Sequence, residues 1–224
     1  MIRVVIIPVL LFFFQFSEIS QAQNVVINNQ YLTYREFSNL FKDKQNHSKE
    51  FSSQVRTKGT AYQGQLESPV RIAIIYPGKQ ASDYWQRSVS SFEARLSQSN
   101  IPYEIHTYFS KPGAEIRLQA EQISIALKSD PDYLIFTLDA MKHRAIIERL
   151  MARDRPKVIL QNITTPLGRW RETQPFMYVG FDHAAGTELL AEEYLRKFGR
   201  RGRYAIFYGT KGYVSEMGAI LLSR

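Results

Sequence analysis

The sequence predicts a doubly wound α/β domain on a parallel sheet, and three observations carry that expectation. Val70 to Tyr76 reads V-R-I-A-I-I-Y, a nearly unbroken apolar run bounded by Pro69 and by Pro77-Gly78. Runs of that kind are strands buried on both faces. Strand-like segments then alternate with segments of helical periodicity, the pattern of right-handed parallel crossovers. Finally, polar and aromatic residues gather directly after the strands, and in open α/β sheets that carboxyl edge is where ligands bind.

The composition suits a globular chain: 224 residues, 44% hydrophobic and 22% charged. Residues 1–22 have the form of a secretory signal, with Arg3, an apolar run from Val4 to Phe14, and Ser20-Gln21-Ala22 as a small-residue cleavage site. The run is well short of the roughly 20 residues that span a bilayer, so the mature chain is expected to be exported and not membrane-spanning. The absence of cysteine calls for a core that holds without disulfides, and a periplasmic location fits. The net charge of +8 raises the question of nucleic acid. Its densest cluster, Gly199 to Arg203, sits where a helix turns toward a strand and reads as a solvated turn, so no nucleic-acid partner is expected.

Residues 23–69 read as an amino-terminal helical arm and linker. Tyr31, Tyr34, Phe37, Leu40 and Phe41 share a helical face, and Gly59, Gly64 and Ser68 loosen the pattern before the first strand. A helix from about Asp83 to Ser97 buries Trp85, Val89, Phe92 and Leu96, spaced three and four apart. Tyr103 to Phe109 is the second strand. After Pro112-Gly113 a helix runs to about Lys128, with Ile116, Ala120, Ile123 and Leu127 inward, and Asp130-Pro131 ends it. Tyr133 to Thr137, Val158 to Gln161, Met177 to Phe181 and Tyr204 to Tyr208 are the remaining strands, and Met141 to Arg153 and Ala184 to Phe198 the remaining helices.

The strand ends supply the candidate site. Gln80, Ser82 and Trp85 follow the first strand, Thr137 and Asp139 the third, Asn162 and Thr164 the fourth, Asp182 and His183 the fifth. Amides, hydroxyls, a carboxylate and an indole arriving from separate strands suit a small polyhydroxylated ligand. The same residue types also form turns and helix caps, and Trp85 shares a face with Val89 and Phe92, as a core residue would. Dinucleotide, P-loop, nucleophile-elbow and zinc-protease motifs are missing, as is a cysteine nucleophile, so no enzyme activity and no metal are expected. His47, His106, His143 and His183 do not pair at ligand spacing and are expected on the surface. Asp139 reads as a helix cap as readily as a partner for His143, and Asn162-Ile163-Thr164 matches a glycosylation sequon formally.

The runs Y-P-G-K-Q-A-S-D-Y-W (76–85), D-Y-L-I-F-T-L-D (132–139), L-Q-N-I-T-T-P (160–166), Y-V-G-F-D-H-A (178–184) and G-Y-V-S-E-M (212–217) resemble the autoinducer-2-binding receptors of the type I periplasmic binding protein family. The resemblance implies two α/β lobes closing on a furanosyl borate diester, whose boron comes with the ligand so that no cofactor is needed. It also implies a membrane sensor kinase, LuxQ, as partner. On that resemblance 70–182 is the first lobe and 183–224 the start of a second. Gln80, Ser82 and Asn162 match groups that hydrogen-bond the ligand, Trp85 an aromatic wall, and Thr137, Asp139 and Phe181 neighbouring pocket positions. Gly209 departs from the pattern by replacing a pocket aromatic. The alternative reading is a sugar-binding component of an ABC uptake transporter, which shares fold and compartment. An exported hydrolase lacks a nucleophile and base, and a cytoplasmic repressor lacks a helix-turn-helix before Val70.

After Met217 the family continues R-G-D-T-F-I, whose arginine binds ligand, whereas here Gly218 to Arg224 reads G-A-I-L-L-S-R. A one-base deletion in family-like codons produces those seven residues, so the expectation is a carboxyl-terminally truncated chain ending in a frameshifted tail. Resequencing the DNA after codon 217 checks it: a family-like continuation in an alternative frame is expected, and its absence from both refutes the reading.

Overall fold

The computed structural model describes residues 32–112, 114–137, 143–161, 167–170, 173–199 and 205. The expected leader, the tail from Gly218, and the strand at Tyr204 to Tyr208 apart from Ala205 lie outside them. Two short helices come first, α1 (Tyr34–Leu40) and α2 (Lys44–Gln54). Alternation then follows: β1 (Val70–Tyr76), α3 (Tyr84–Gln98), β2 (Tyr103–Phe109), α4 (Ile116–Ala126), β3 (Tyr133–Thr137), α5 (Arg144–Met151), β4 (Lys157–Gln161), β5 (Met177–Val179) and α6 (His183–Phe198). The five strands form one sheet in the order β2-β1-β3-β4-β5, with every pair parallel.

That order places β1 inside, with β2 on one side and β3 on the other, and Ala73, Ile74 and Ile75 are wholly buried. Alternation along the strand divides the core in two. Ala73 and Ile75 pack with Leu134, Phe136 and Leu160 under Ile123 of α4 and Ile147 of α5. On the opposite face Ile72, Ile74 and Tyr76 pack with Ile135 under Trp85, Val89, Phe92 and Leu96 of α3. Helices therefore cover both faces, as doubly wound topology requires, and α3 uses the predicted stripe. Edge strand β2 alternates between half-buried and exposed over most of its length.

Helix α4 differs from expectation. Its buried positions are Gln119, Gln122, Ile123 and Ala126, while Ile116, Ala120 and Leu127 are only half-buried. The helix is rotated so that Ala126 meets the sheet, and a glutamine is accepted inside because the Gln122 Nε2 donates to the Phe109 carbonyl at 3.1 Å. Asp130 ends the segment as expected, in a left-handed conformation. Strand β5 stops at Val179, short of Phe181.

The arm lies on the β5 side of the sheet. Phe37 meets Tyr178 edge-on at 6.2 Å, and a cavity of about 470 Å³ between the arm and residues 174–178 is lined by Phe37, Phe41, Phe51, Phe176 and Tyr178. At its other end the Arg95 guanidinium of α3 donates to the carbonyls of Gln54 (3.0 Å) and Thr57 (2.8 Å). An edge strand left bare is a template for association, and α1 lies beside β5 through the Phe37–Tyr178 contact. Among the described residues no helix is long and apolar enough to cross a membrane.

At the sheet's amino end Arg71 and Arg155 bridge Asp130 and Asp132 in an exposed ion network. Urea titration is expected to separate the two kinds of contact. Ile74→Ala, which opens a cavity in the central strand, should cost about 2–5 kcal/mol, whereas Arg155→Ala should cost less than about 1 kcal/mol.

Candidate functional site

In the order β2-β1-β3-β4-β5 the chain leaves β1 toward β2 and then returns past it to β3, so the switch point lies between the carboxyl ends of β1 and β3. A crevice opens there because successive connections go to opposite faces. The turn after β1 is firmly held. The Lys79 N–H donates to the Ser110 carbonyl at 2.8 Å and the Ser110 N–H to the Tyr76 carbonyl at 3.0 Å, while the Gln86 Nε2 donates to the Gly78 carbonyl at 3.1 Å. Gly78 is required by close approach: a Cβ at this position would lie 2.2 Å from the Phe109 ring.

On this turn Gln80 and Ser82 are exposed. The Ser82 hydroxyl accepts the Tyr84 N–H at 3.1 Å, so it shapes the start of α3 while facing solvent. Trp85, one turn below, is 3% exposed and packs on Tyr76 with ring centroids 4.5 Å apart. It is a core residue in this arrangement, directly beneath the turn. Thr137 ends β3 and is 1% exposed, and its hydroxyl finds no hydrogen-bond partner among the described residues.

Phe181 stands apart. It is 65% exposed and follows β5, three strand intervals from β1, a lateral separation of about 14 Å at the usual spacing. Asp139 and Asn162 fall outside the described residues, as does Thr164. Gln80, Ser82, Trp85 and Thr137 are thus grouped at the switch point, with Phe181 at the far side of the same edge.

One histidine corrects the sequence expectation. His143 is 3% exposed and meets Phe136 in a T-shaped contact at 5.2 Å. Its ring packs as an aromatic against the core, a role that spacing between histidines does not reveal. Among the described residues no group of three His, Asp or Glu side chains is placed to hold a metal ion.

Sequence reasoning missed a polar chain beneath the crevice. The Tyr76 hydroxyl donates to the Gln161 Oε1, reaching past β3, which lies between their strands. The Gln161 Nε2 in turn approaches the Ser88 hydroxyl at 3.4 Å. The chain ties the ends of β1 and β4 to α3 and gives Trp85 its floor. Its one sequence signal was the polar residue closing each of two apolar strands, Tyr76 and Gln161.

No protein-family model matches the chain. A solved structure described as the XylFII-LytSN complex superposes with a TM-score of 0.53 at 14% sequence identity, covering 70% of this chain. This chain covers 54% of that one, so it spans about half the length of the chain it matches. At such identity the likeness concerns the fold. Together with the all-parallel five-stranded sheet, it makes the architecture a periplasmic binding protein-type α/β fold.

Burial raises the Tyr76 phenol pKa from 10.0 to about 12, above the opposing effect of the Ser88 hydrogen bond. A raised acid favours the protonated folded state, so its contribution to stability is complete below pH 10 and is lost as pH rises through 12. Denaturation midpoints across that range should fall for the wild type and fall less steeply for Tyr76→Phe. At neutral pH the same substitution, which strands the Gln161 acceptor, should cost about 1 kcal/mol. Parallel alkaline curves for the two proteins would contradict this assignment.

Proposed function

We propose that this chain is the ligand-binding part of a periplasmic receptor, a binder and not a catalyst, that recognises a small polyhydroxylated molecule and acts through a membrane sensor kinase. The observation that carries the reading is the grouping of Gln80, Ser82 and Thr137 at the β1–β3 switch point over the Trp85–Tyr76 stack. Such a crevice offers a hydroxylated ring hydrogen bonds from the exposed Gln80 amide and Ser82 hydroxyl, on a turn that stands over the buried Trp85–Tyr76 stack.

The particular receptor whose sequence it resembles is LuxP, and on that basis the ligand is autoinducer-2 as its furanosyl borate diester and the kinase is LuxQ. The fold match to a chain from a two-component complex supports a receptor that works with a second protein. On this reading Asn162 and Asp139 join Gln80 and Ser82 at the ligand, with Phe181 at the rim.

A receptor of this kind holds its ligand between two lobes, and closure removes water from every hydrogen bond. The 224-residue chain is therefore expected to show no micromolar binding of borate-loaded autoinducer-2 by calorimetry. At millimolar ligand, amide NMR shifts should be confined to residues 77–85, the end of β3 with Asp139, Asn162 and Phe181. Ribose should produce weaker shifts at the same positions. Saturable binding of ribose without any response to autoinducer-2 would overturn the assignment in favour of a sugar-uptake protein. Micromolar or tighter binding of autoinducer-2 would refute the need for a second lobe.

A further inference from the structure

We infer that the amino-terminal arm is a latch on the segment where the chain leaves the sheet, with Asp182 as its catch. The inference goes beyond the receptor reading and stands without it. Asp182 follows β5 and is the N-cap of α6. One carboxylate oxygen, Oδ1, accepts the Ala185 N–H at 3.0 Å, and its backbone carbonyl accepts the Gly186 N–H at 3.0 Å. The other oxygen, Oδ2, accepts the Tyr34 N–H of α1 at 2.9 Å, across 148 residues of sequence. A single carboxylate thus divides its two oxygens between the helix it begins and the arm.

The arm is shaped to present that N–H. Thr33 closes a capping box with Glu36: the Thr33 N–H and hydroxyl reach the glutamate at 2.8 and 2.9 Å, and the Glu36 N–H reaches the Thr33 hydroxyl at 3.1 Å. Those bonds satisfy neighbouring amides and leave the Tyr34 N–H directed outward, where Asp182 takes it. Leu32 beside it is 4% exposed, and Phe37 one turn on meets Tyr178 of β5. An aromatic contact and a charge-assisted hydrogen bond therefore fasten α1 to the exit of β5.

Because both bonds fix the same carboxyl rotamer, each favours the other. Detaching the arm frees the Asp182 side chain to rotate and weakens the cap of α6; reorienting α6 turns the carboxylate away from the arm. The two segments are coupled through one side chain, and the coupling is reciprocal. A partner that lifts the arm would loosen the start of α6, and a change in the direction of α6 would be felt at the arm.

The test is amide hydrogen exchange on the 224-residue chain. Tyr34→Pro removes the donor together with the phenol side chain, and Tyr34→Ala, which keeps the N–H, is the control for the side chain. Proline is favoured at the first helical position, and Thr33 before it already has the extended backbone (φ −65°, ψ 159°) that a following proline requires. In this variant exchange should rise about three- to tenfold in α1 and also at the Ala185 amide, the scale of one net hydrogen bond. Asp182→Asn retains a single acceptor oxygen, so one bond is lost outright and, through the coupling, protection should fall in both segments. Wild-type exchange at Ala185 in Tyr34→Pro, or undisturbed protection of either segment in Asp182→Asn, would overturn the proposal. If the β1 amides of Tyr34→Pro also lose protection, that variant has unfolded globally and Asp182→Asn decides by the same criterion.

Discussion

The double burial of β1 is the constraint on which the rest of this domain depends. A strand hydrogen-bonded in parallel to a neighbour on each side, with both faces closed, leaves its amides no access to water. Each neighbour must be reached by a crossover, and each crossover must bring a helix. Helix α3 on one face and α4 with α5 on the other follow from that need, as does the division of the core into two clusters that share one strand. The reversal of direction between β2 and β3 then opens the crevice at the carboxyl edge.

What lies under that crevice is more polar than a core usually is. Tyr76, Gln161 and Ser88 form a connected chain, and a buried polar chain that is satisfied fixes a geometry as well as adding stability. It joins β1 to β4 across an intervening strand, so the two ends cannot drift independently. Trp85 rests on Tyr76, and the glycine turn above rests on Phe109. The turn that carries Gln80 and Ser82 therefore stands on a base fixed by packing and hydrogen bonds.

Helix α6 is the counterpart to this rigidity. None of its described positions is buried, and Leu189, Leu190, Leu195 and Phe198 are between 46% and 67% exposed. Its attachment to the domain runs through the Asp182 cap and, via the same carboxylate, the arm. A receptor of which this domain is one part would thus have its arm fastened where the chain departs from the sheet.

Read by itself, the sequence determined the elements and their class. The apolar run of β1, the helical stripe of α3, the Asp130-Pro131 stop and the alternation of strand and helix are local or periodic features, and each lies close to where periodicity put it. The position of Gln80 and Ser82 after β1 was legible for the same reason, since a strand end is marked in the chain. Tertiary structure decided whatever depends on partners distant in sequence. Helix α4 turned Gln119 and Gln122 inward because its orientation is set by packing Ile123 and Ala126 on Ala73 and Ile75 of β1, where the Phe109 carbonyl awaits the Gln122 amide. His143 is buried because Phe136 offers its ring an aromatic neighbour, and Trp85 is buried because Tyr76 offers it a ring to pack on. The bonds of Tyr76 to Gln161 and of Tyr34 to Asp182 join residues 85 and 148 positions apart, and no periodicity carries information over such separations. Only the folded chain, by bringing those pairs within hydrogen-bond reach, selects them from the many polar groups the sequence makes available.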